Sequence, residues 1–550
     1  MDRHRNVVDR IRHLITKMSL LLIFIYVICG AYLLLNLKHD IHILQQNSYR
    51  ISRYWSWLEQ GHFLGASRLV DMALIFLLLS TLLTPAMCAL LTACVCLFKI
   101  YRILTARFKK PLVFTRRVWR IYSVAGGLSL AIFLGCVAAF GFSGDMVGYY
   151  SGPNFVLSVL LLEAIVSWSF VIAAVWLLRP VESSINRKYW NEAKSILKGM
   201  PELKVIGITG SYGKTSTKHY LHTILSEQFE TLMTPGSYNT PMGVIRTVRE
   251  MMKPYTEIFI CEMGAKQKGD IKEICDLVEP DCGIITAVGP MHLETFGSIE
   301  NVRDTKFELA DAVPANGFVV INDDFAMSAS REVDNTECIR YAISKPGAAD
   351  YRADNIEYST DGTHFMVLKP NGERLSFTTR LVGESNVSNL LAAIIVALKL
   401  GMSEEAIQLG VGRIQQVEHR LSMKRTPGGV TIIDDAFNSN PVGSKMALEV
   451  LGSFKGGKRI CVTPGMVELG SRRDELNEKL GVHIGENADV AIIVNEYNRE
   501  SLTRGILSTA FNKKNLYQVA DFNEAQKILS SILSPGDTVL YENDLPDTFK

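Results

Sequence analysis

The feature that most constrains this chain is its first third, where apolar residues come in long blocks with hardly a break. The runs 20–37, 69–98, 124–142 and 155–178 are close to, or longer than, the roughly 20 residues a helix needs to cross a hydrocarbon layer. Residues 1–190 are therefore expected to form a membrane module of four transmembrane helices. The second block is overlong and contains Pro85, which suggests one kinked or tilted helix, with a re-entrant pair as the alternative. The first block is too long for a removable signal peptide and no small-residue cleavage pattern follows it, so it is expected to stay.

Charge sets the expected orientation. Lys99, Arg102, Arg107, Lys109, Lys110, Arg116, Arg117 and Arg120 fall in one acid-free stretch, and the N-terminal tail carries Arg3, Arg5, Arg10, Arg12 and Lys17. An excess of Lys and Arg marks cytoplasmic segments. Both stretches are thus expected inside, segments 38–68 and 144–154 outside, and the crossings even in number. That describes a multi-pass cell-membrane protein with its N-terminus and its remaining domains in the cytoplasm. Asp71 and Glu163 are the ionisable residues within the blocks, and the sequence offers neither an obvious partner. Over the whole chain 58 basic residues face 56 acidic ones, which gives no polyanion signal, so nucleic acid is not an expected partner. The ten cysteines show no metal-ligand spacing and read as reduced, buried thiols.

After Arg179 short apolar runs such as KVIGITG, EIFICEMG, CGIITAVG and GFVVIND alternate with segments of helical period. That pattern specifies a parallel sheet with crossover helices. Residues 351–381 alternate instead like antiparallel strands, and a second α/β series begins near Glu418. The expected fold class is an α-helical transmembrane module followed by α/β, with a P-loop parallel-sheet ATPase domain at 191–417 and a C-terminal Rossmann-like α/β domain at 418–550.

The sharpest chemical signal is KVIGITGSYGKTSTKHYL. A strand runs into a turn and then a helix, so that Gly210, Ser211, Gly213, Lys214, Thr215 and Ser216 present backbone N–H groups, a helix N-terminus and one cation to a phosphate. Thr215 is the expected hydroxyl ligand of Mg²⁺. Ile208 stands where the strict pattern has its first glycine.

In this setting T-G-x-x-G-K-T resembles the phosphate loop of the Mur ligases, and further matches follow in order. CEMGAKQKGDI is similar to the segment whose glutamate helps bind Mg²⁺, here Glu262; VGPMHLETFGS is similar to the histidine segment, here His292. VRDTKFELA resembles the segment whose lysine is carbamoylated, which makes Lys306 a carboxylate-like metal ligand. Read singly, Glu262 is equally a helix cap, His292 a satisfied loop residue and Lys306 a surface lysine. The resemblance also implies nucleotide contacts from Asn322, Asn386, Asn389, Arg420 and Asp435, with Ser385 standing where the family usually has histidine. TIIDDAFNSNP and PGMVELGS are similar to segments of the D-alanyl-D-alanine-adding branch of that family.

The resemblance covers about residues 200–540. It implies an ATP- and Mg²⁺-dependent acid–amino-acid ligase of cell-wall peptide synthesis, working through an acyl phosphate, with Lys214, His292 and Lys306 as its catalytic set. D-alanyl-D-alanine added to a muramoyl peptide is the implied product. Two readings stay open beside it: a lipid-linked or polymeric acceptor, and a nucleotide-binding membrane scaffold without turnover. The implied partners are a small-molecule or lipid-linked peptide acceptor, an amine donor and other cell-wall synthesis components. Two departures from the family bear on substrate. Membrane helices occupy the place of the usual substrate domain, and Tyr541-Glu542-Asn543-Asp544 replaces a basic loop, an acidic character that suits an amine.

Overall fold

The computed structural model describes residues 2–47, 49–59, 63, 66–80, 83–106, 108, 111–140, 151–343, 349–359, 362–417, 421–436 and 439–544. The chain divides into two compact units between Asn186 and Arg187.

The first unit contains α1 (Asp2–Gln46), α2 (Ile51–Trp57), α3 (Ala66–Leu79), α4 (Pro85–Thr105), α5 (Arg116–Phe140), α6 (Ser151–Ile165) and the start of α7 (Ser167–Lys198). Leu20–Gln46, Ala86–Thr105, Arg116–Ala139 and Ser167–Lys198 are long and apolar enough to cross a membrane, and α6 is a shorter apolar helix. Block 69–98, expected as one helix, is two. Proline lacks the N–H that an inner turn needs, but that loss is harmless at the first helical position. Pro85 accordingly opens α4, behind a Thr84 hydroxyl that accepts from the Met87 amide at 3.4 Å. Block 155–178 is also interrupted, at Val166. The expected boundary near 190 falls inside α7, which contains Pro180 and whose residues from Arg187 onward belong to the second unit.

Contacts at the helix ends correct the expected topology. Gln45 exchanges hydrogen bonds with the backbone of Val113 at 2.9 and 3.0 Å, Lys38 lies over the Phe114 ring, and Arg117 lies over that of Tyr49. The segment after α1 and the basic segment between α4 and α5 therefore share one end of the bundle. Arg120 also holds Glu182 of α7 there, at 2.7 Å. Segments 38–68 and 99–120, expected on opposite sides, thus lie together. Asp71 and Glu163 do have partners. Asp71 accepts from Lys99 Nζ at 2.6 Å and Tyr32 OH at 2.8 Å, and Glu163 accepts from the Ser129 hydroxyl. Asp40 likewise accepts from Ser167 and faces Arg68 at 3.5 Å. All ten cysteines are free.

The second unit holds two sheets. The first is built from β1 (Lys204–Thr209), β2 (Thr231–Met233), β3 (Ile258–Glu262), β4 (Cys282–Ile285), β5 (Phe318–Asn322), β6 (Glu337–Ala342), β7 (Tyr351–Ser359), β8 (Gly362–Leu368) and β9 (Arg374–Thr379), in the order β2-β3-β1-β4-β5-β6-β7-β8-β9. Its strands are parallel through β7 and antiparallel from β7 to β9. Period-two alternation sends Ile206 and Ile208 of β1 to one face, with Leu221 and Ile224 of α8 (Lys214–Leu225). Val205 goes to the other, with residues of α9 (Pro241–Met251), α10 (Asp270–Val278) and, after the short α11 (Leu293–Phe296), α12 (Ile299–Ala312). After α13 (Ala326–Ala329) and the antiparallel strands, α14 (Glu384–Lys399) buries almost its whole length against the first face, and α15 (Glu404–Arg413) follows it.

The second sheet has the order β10-β11-β15-β12-β13-β14. Its strands are β10 (Ser422–Arg425), β11 (Thr431–Asp435), β12 (Arg459–Thr463), β13 (Val490–Val494), β14 (Leu516–Val519) and β15 (Thr538–Glu542). All but β10 run parallel, with α16 (Pro441–Ser453) and α17 (Arg473–Asn487) among the helices that cover it. The C-terminal ends of β11, β15 and β12 thus lie side by side, the position where open α/β sheets bind ligands.

Candidate active site

The site grows from the end of β1. Gly210 and Gly213 adopt φ of +149° and +80°, and a Cβ on Gly213 would sit 2.3 Å from Asn389 Oδ1. Only glycine meets both demands. Ser211 and Tyr212 are tied to the loop after β4: Ser211 N donates to Ala287 O at 2.7 Å, Ser211 Oγ to Gly289 O at 3.0 Å, and Tyr212 OH to Pro290 O at 3.1 Å. The loop is therefore held open at the N-terminus of α8. Lys214 Nζ folds back onto Gly210 O at 2.8 Å, where it is available to an incoming anion.

Thr215 Oγ1 donates to Glu262 Oε1 at 3.2 Å, and Asn239 Nδ2 donates to the same oxygen at 3.0 Å. Glu262 Oε2 lies 3.1 Å from Lys218 Nζ as an ion pair, yet it accepts no aligned hydrogen bond. Both side chains are almost fully buried, and Lys218 also donates to Gly236 O. Burial opposes ionisation of Glu262, but the charges of Lys218 and Lys214 and the Asn239 amide outweigh it and hold the carboxyl below its ordinary value. A buried carboxylate oxygen without a hydrogen bond, beside a threonine hydroxyl, is a donor set that fits a hard cation. Sequence reasoning missed Lys218 and Asn239. Lys218 falls one helical turn after Lys214 and thus on the same side of α8, which was the available signal.

Lys306 is not a surface residue. It lies buried on α12, where burial, and then the like charge of Lys214, bring its ammonium down to about 7. His292 precedes α11 with φ +52° and meets Glu468 through Nδ1. Burial lowers its titration while Glu468 pulls the other way. Among the described residues, no three of His, Cys, Asp and Glu converge as a metal cluster.

A cleft of about 270 Å³ opens beside the phosphate loop, bounded by Tyr212, Gly213, Asn322, Phe325, Asn386 and Asp435 among others. Asn322 bonds Ser388 at 3.0 Å, Asn386 accepts from Tyr220 OH at 2.7 Å, and Asn389 accepts from Thr217 Oγ1 at 3.2 Å. Ser216 and Ser385 also border it. From the C-terminal sheet, Asp435 accepts from the Leu421 amide at 3.0 Å. Arg420 and Asn438 lie outside the described residues. Asn440 caps α16 by accepting from the Gly443 amide at 2.9 Å.

Glu542 does not present an acidic face to an amine. It is fully buried, with Oε1 accepting from Ser439 at 2.6 Å and Ser444 at 2.7 Å, and Oε2 without a partner. Burial, and then Asp435 on the adjacent strand, push its carboxyl up to about 8. The folded state thus keeps a proton that the unfolded chain releases near 4.5, so this stabilisation is complete below that pH and is lost as pH rises towards 8. Glu542→Gln should raise the melting temperature at pH 8, by about 2–4 °C per kcal/mol relieved, and the gain should vanish by pH 5. A gain independent of pH would show that Glu542 is ionised.

A phosphate loop joined to a cleft between two α/β sheets defines a nucleotide-using enzyme. The comparisons with known proteins agree. The model of the Mur ligase middle domain matches residues 208–397, and that of the Mur ligase glutamate ligase domain matches residues 419–541. The UDP-N-acetylmuramoyl-tripeptide–D-alanyl-D-alanine ligase of Mycobacterium tuberculosis is 30% identical over 62% of this chain and 70% of its own length. The Bacillus subtilis ligase of the same name is 29% identical over 62% and 72%. Among solved structures, MurF from Acinetobacter baumannii superimposes with a TM-score of 0.60 at 26% identity, covering 66% of this chain and 78% of that one. MurF from Thermotoga maritima in complex with ADP gives 0.59 at 25% identity, covering 66% and 81%. The chain belongs to the Mur ligase family. It is an ATP-dependent, ADP-forming ligase that uses Mg²⁺.

Proposed function

We propose that this ligase adds D-alanyl-D-alanine to a muramoyl-tripeptide acceptor, the reaction its relatives' names describe. The observation that carries the reading is the convergence of the phosphate loop, the Thr215–Glu262 pair and a cleft shared by both sheets. In domain terms, residues 1–190 are the membrane module, 191–417 the ATP-binding domain and 418–550 the C-terminal domain. Asn322, Phe325, Asn386 and Asn389 line the cleft on the side that would take the adenine end of ATP, and Arg420 and Asp435 are the residues of the C-terminal part that the family resemblance assigns to ATP. Gly210, Ser211, Gly213 and Ser216 cradle the phosphates, and Lys214 leaves the loop carbonyls for them.

The acceptor carboxylate attacks the γ-phosphorus, releasing ADP and leaving an acyl phosphate. The amine then attacks the acyl carbon, loses a proton and expels phosphate. Thr215, Glu262, His292 and a carbamoylated Lys306 are the residues that would hold Mg²⁺. When bound, the ion neutralises phosphate charge and brings two anionic reactants together. A lysine whose ammonium is brought down to about 7 is neutral about half the time at that pH and can attack carbon dioxide and lose a proton to become a carbamate, which supports that assignment of Lys306.

The apolar helices ahead of the catalytic unit favour a second reading, in which the acceptor is lipid-linked and the protein sits in the cell membrane. The basic segment and the catalytic unit then face the cytoplasm. The test is phosphate release by the full-length protein with Mg·ATP and D-alanyl-D-alanine, comparing UDP-linked with lipid-linked muramoyl tripeptide. Turnover with the UDP-linked acceptor supports the first reading, and turnover with the lipid form alone supports the second. Nucleotide binding without turnover on either would overturn both and leave a nucleotide-binding scaffold.

A further inference from the structure

His292 and Glu468 come from different sheets and meet side chain to side chain. Both are non-glycine residues in the left-handed region, with φ of +52° and +60°. That backbone is unfavourable for a residue with a side chain, and conformations of this kind gather where side-chain aim matters. The segment bearing Glu468 is rigid. The Met466 amide donates to Asn477 Oδ1 at 2.8 Å, Asn498 Nδ2 donates to Pro464 O and Met466 O at 3.0 Å each, and Met466 and Leu469 are buried. Glu468 is therefore presented from a fixed mount on the C-terminal sheet. Its Oε2 meets His292 Nδ1, and its Oε1 lies 3.7 Å from Lys266 Nζ. Lys266 follows Glu262 in the segment after β3, and its carbonyl accepts from Thr295 on α11. One carboxylate thus ties together the two segments of the middle sheet that carry Glu262 and His292.

We propose that Glu468 is the positioning residue of His292. A neutral imidazole has one N–H donor and one acceptor nitrogen. A carboxylate at Nδ1 fixes the proton there and leaves the Nε2 lone pair for the phosphate and cation side of the site. The carboxylate comes from the C-terminal sheet and the imidazole from the middle one, so this orientation exists only while the two are closed together. The inference rests on the reading of His292 as a residue of the metal site.

The experiment measures Mn²⁺·ADP binding by electron paramagnetic resonance on the full chain, without turnover, alongside melting temperature. Glu468→Ala should weaken binding by about 10–100-fold, and so should Glu468→Asp, which is one methylene too short. Glu468→Gln keeps an acceptor oxygen at the same reach and should stay within about threefold of wild type. In a His292→Asn background, Glu468→Ala should add nothing, because a residue acting through His292 has nothing left to position. Unchanged binding in Glu468→Ala, or an equal loss with His292 present or absent, would overturn the proposal while leaving His292 in the metal site. Wild-type binding by His292→Asn alone would remove His292 from that site and the proposal with it. If the alanine variant does not fold, the aspartate and glutamine variants decide by the same criteria.

Discussion

Lys214→Ala should reduce ATP-dependent phosphate release by about 10²–10³-fold, the usual cost of removing one preorganised positive donor from a phosphoryl-transfer site. The side chain is bonded to loop carbonyls of Gly210 and Ser211, at 2.8 and 3.4 Å. The loop itself is held by Ser211 and Tyr212 through Ala287, Gly289 and Pro290. Loss of the lysine should therefore leave melting temperature nearly unchanged while turnover collapses. Measuring both on one preparation separates the roles, and a variant that turns over normally would remove Lys214 from the reaction.

Lys306→Ala should cost at least about 10²-fold in turnover, comparable to losing a ligand or its support at a catalytic metal. Its defect should be relieved in part by a short carboxylic acid supplied in the buffer, whereas Lys306→Arg should be inactive and not rescued. Wild-type enzyme stripped of carbon dioxide should lose activity and regain it on adding bicarbonate. The pH response has a defined sign. The folded value of about 7 lies below the ordinary 10.5, so between them the unfolded chain holds the extra proton. Stability then rises with pH through that window and falls as pH drops to 7. Replacing Lys306 with methionine should flatten that slope in thermal melts. A slope identical to wild type would show that the Lys306 ammonium does not titrate in that window, and activity indifferent to bicarbonate would return Lys306 to an unmodified buried lysine.

Much of the catalytic unit was legible because its signals are local. Glycine and lysine spacing at a strand-to-helix junction identified the phosphate loop, and alternation distinguished the antiparallel 351–381 segment from the parallel strands before it. What the sequence hid was set by distant partners. Lys218 reads as one more lysine on a helix until β3 brings Glu262 to it. Glu468 and His292 lie far apart in sequence and meet only when two sheets do. Glu542 looks like an exposed acid in an acidic tail. Strand β15, however, inserts between β11 and β12, and that central position buries it under α16. In the first unit, apolar content revealed the helices but not their break, since residues on both sides of Pro85 are equally greasy. Counting basic loops could not detect that Gln45 and Val113 clasp the same end of the bundle.

The bond between Asp71 of α3 and Lys99 of α4 has a consequence for helices that are apolar enough to meet lipid. Presented singly to hydrocarbon, each charge would cost about 2.5–3.5 kcal/mol on insertion scales. With its 14 residues, α3 reaches only about 21 Å across a layer of about 30 Å. Neither helix is a good passenger alone. Delivered as a hairpin, the two charges cancel and the short helix is carried by the longer one. If these helices enter a membrane, as their length and composition allow, the unit that enters would be the pair and not the single helix.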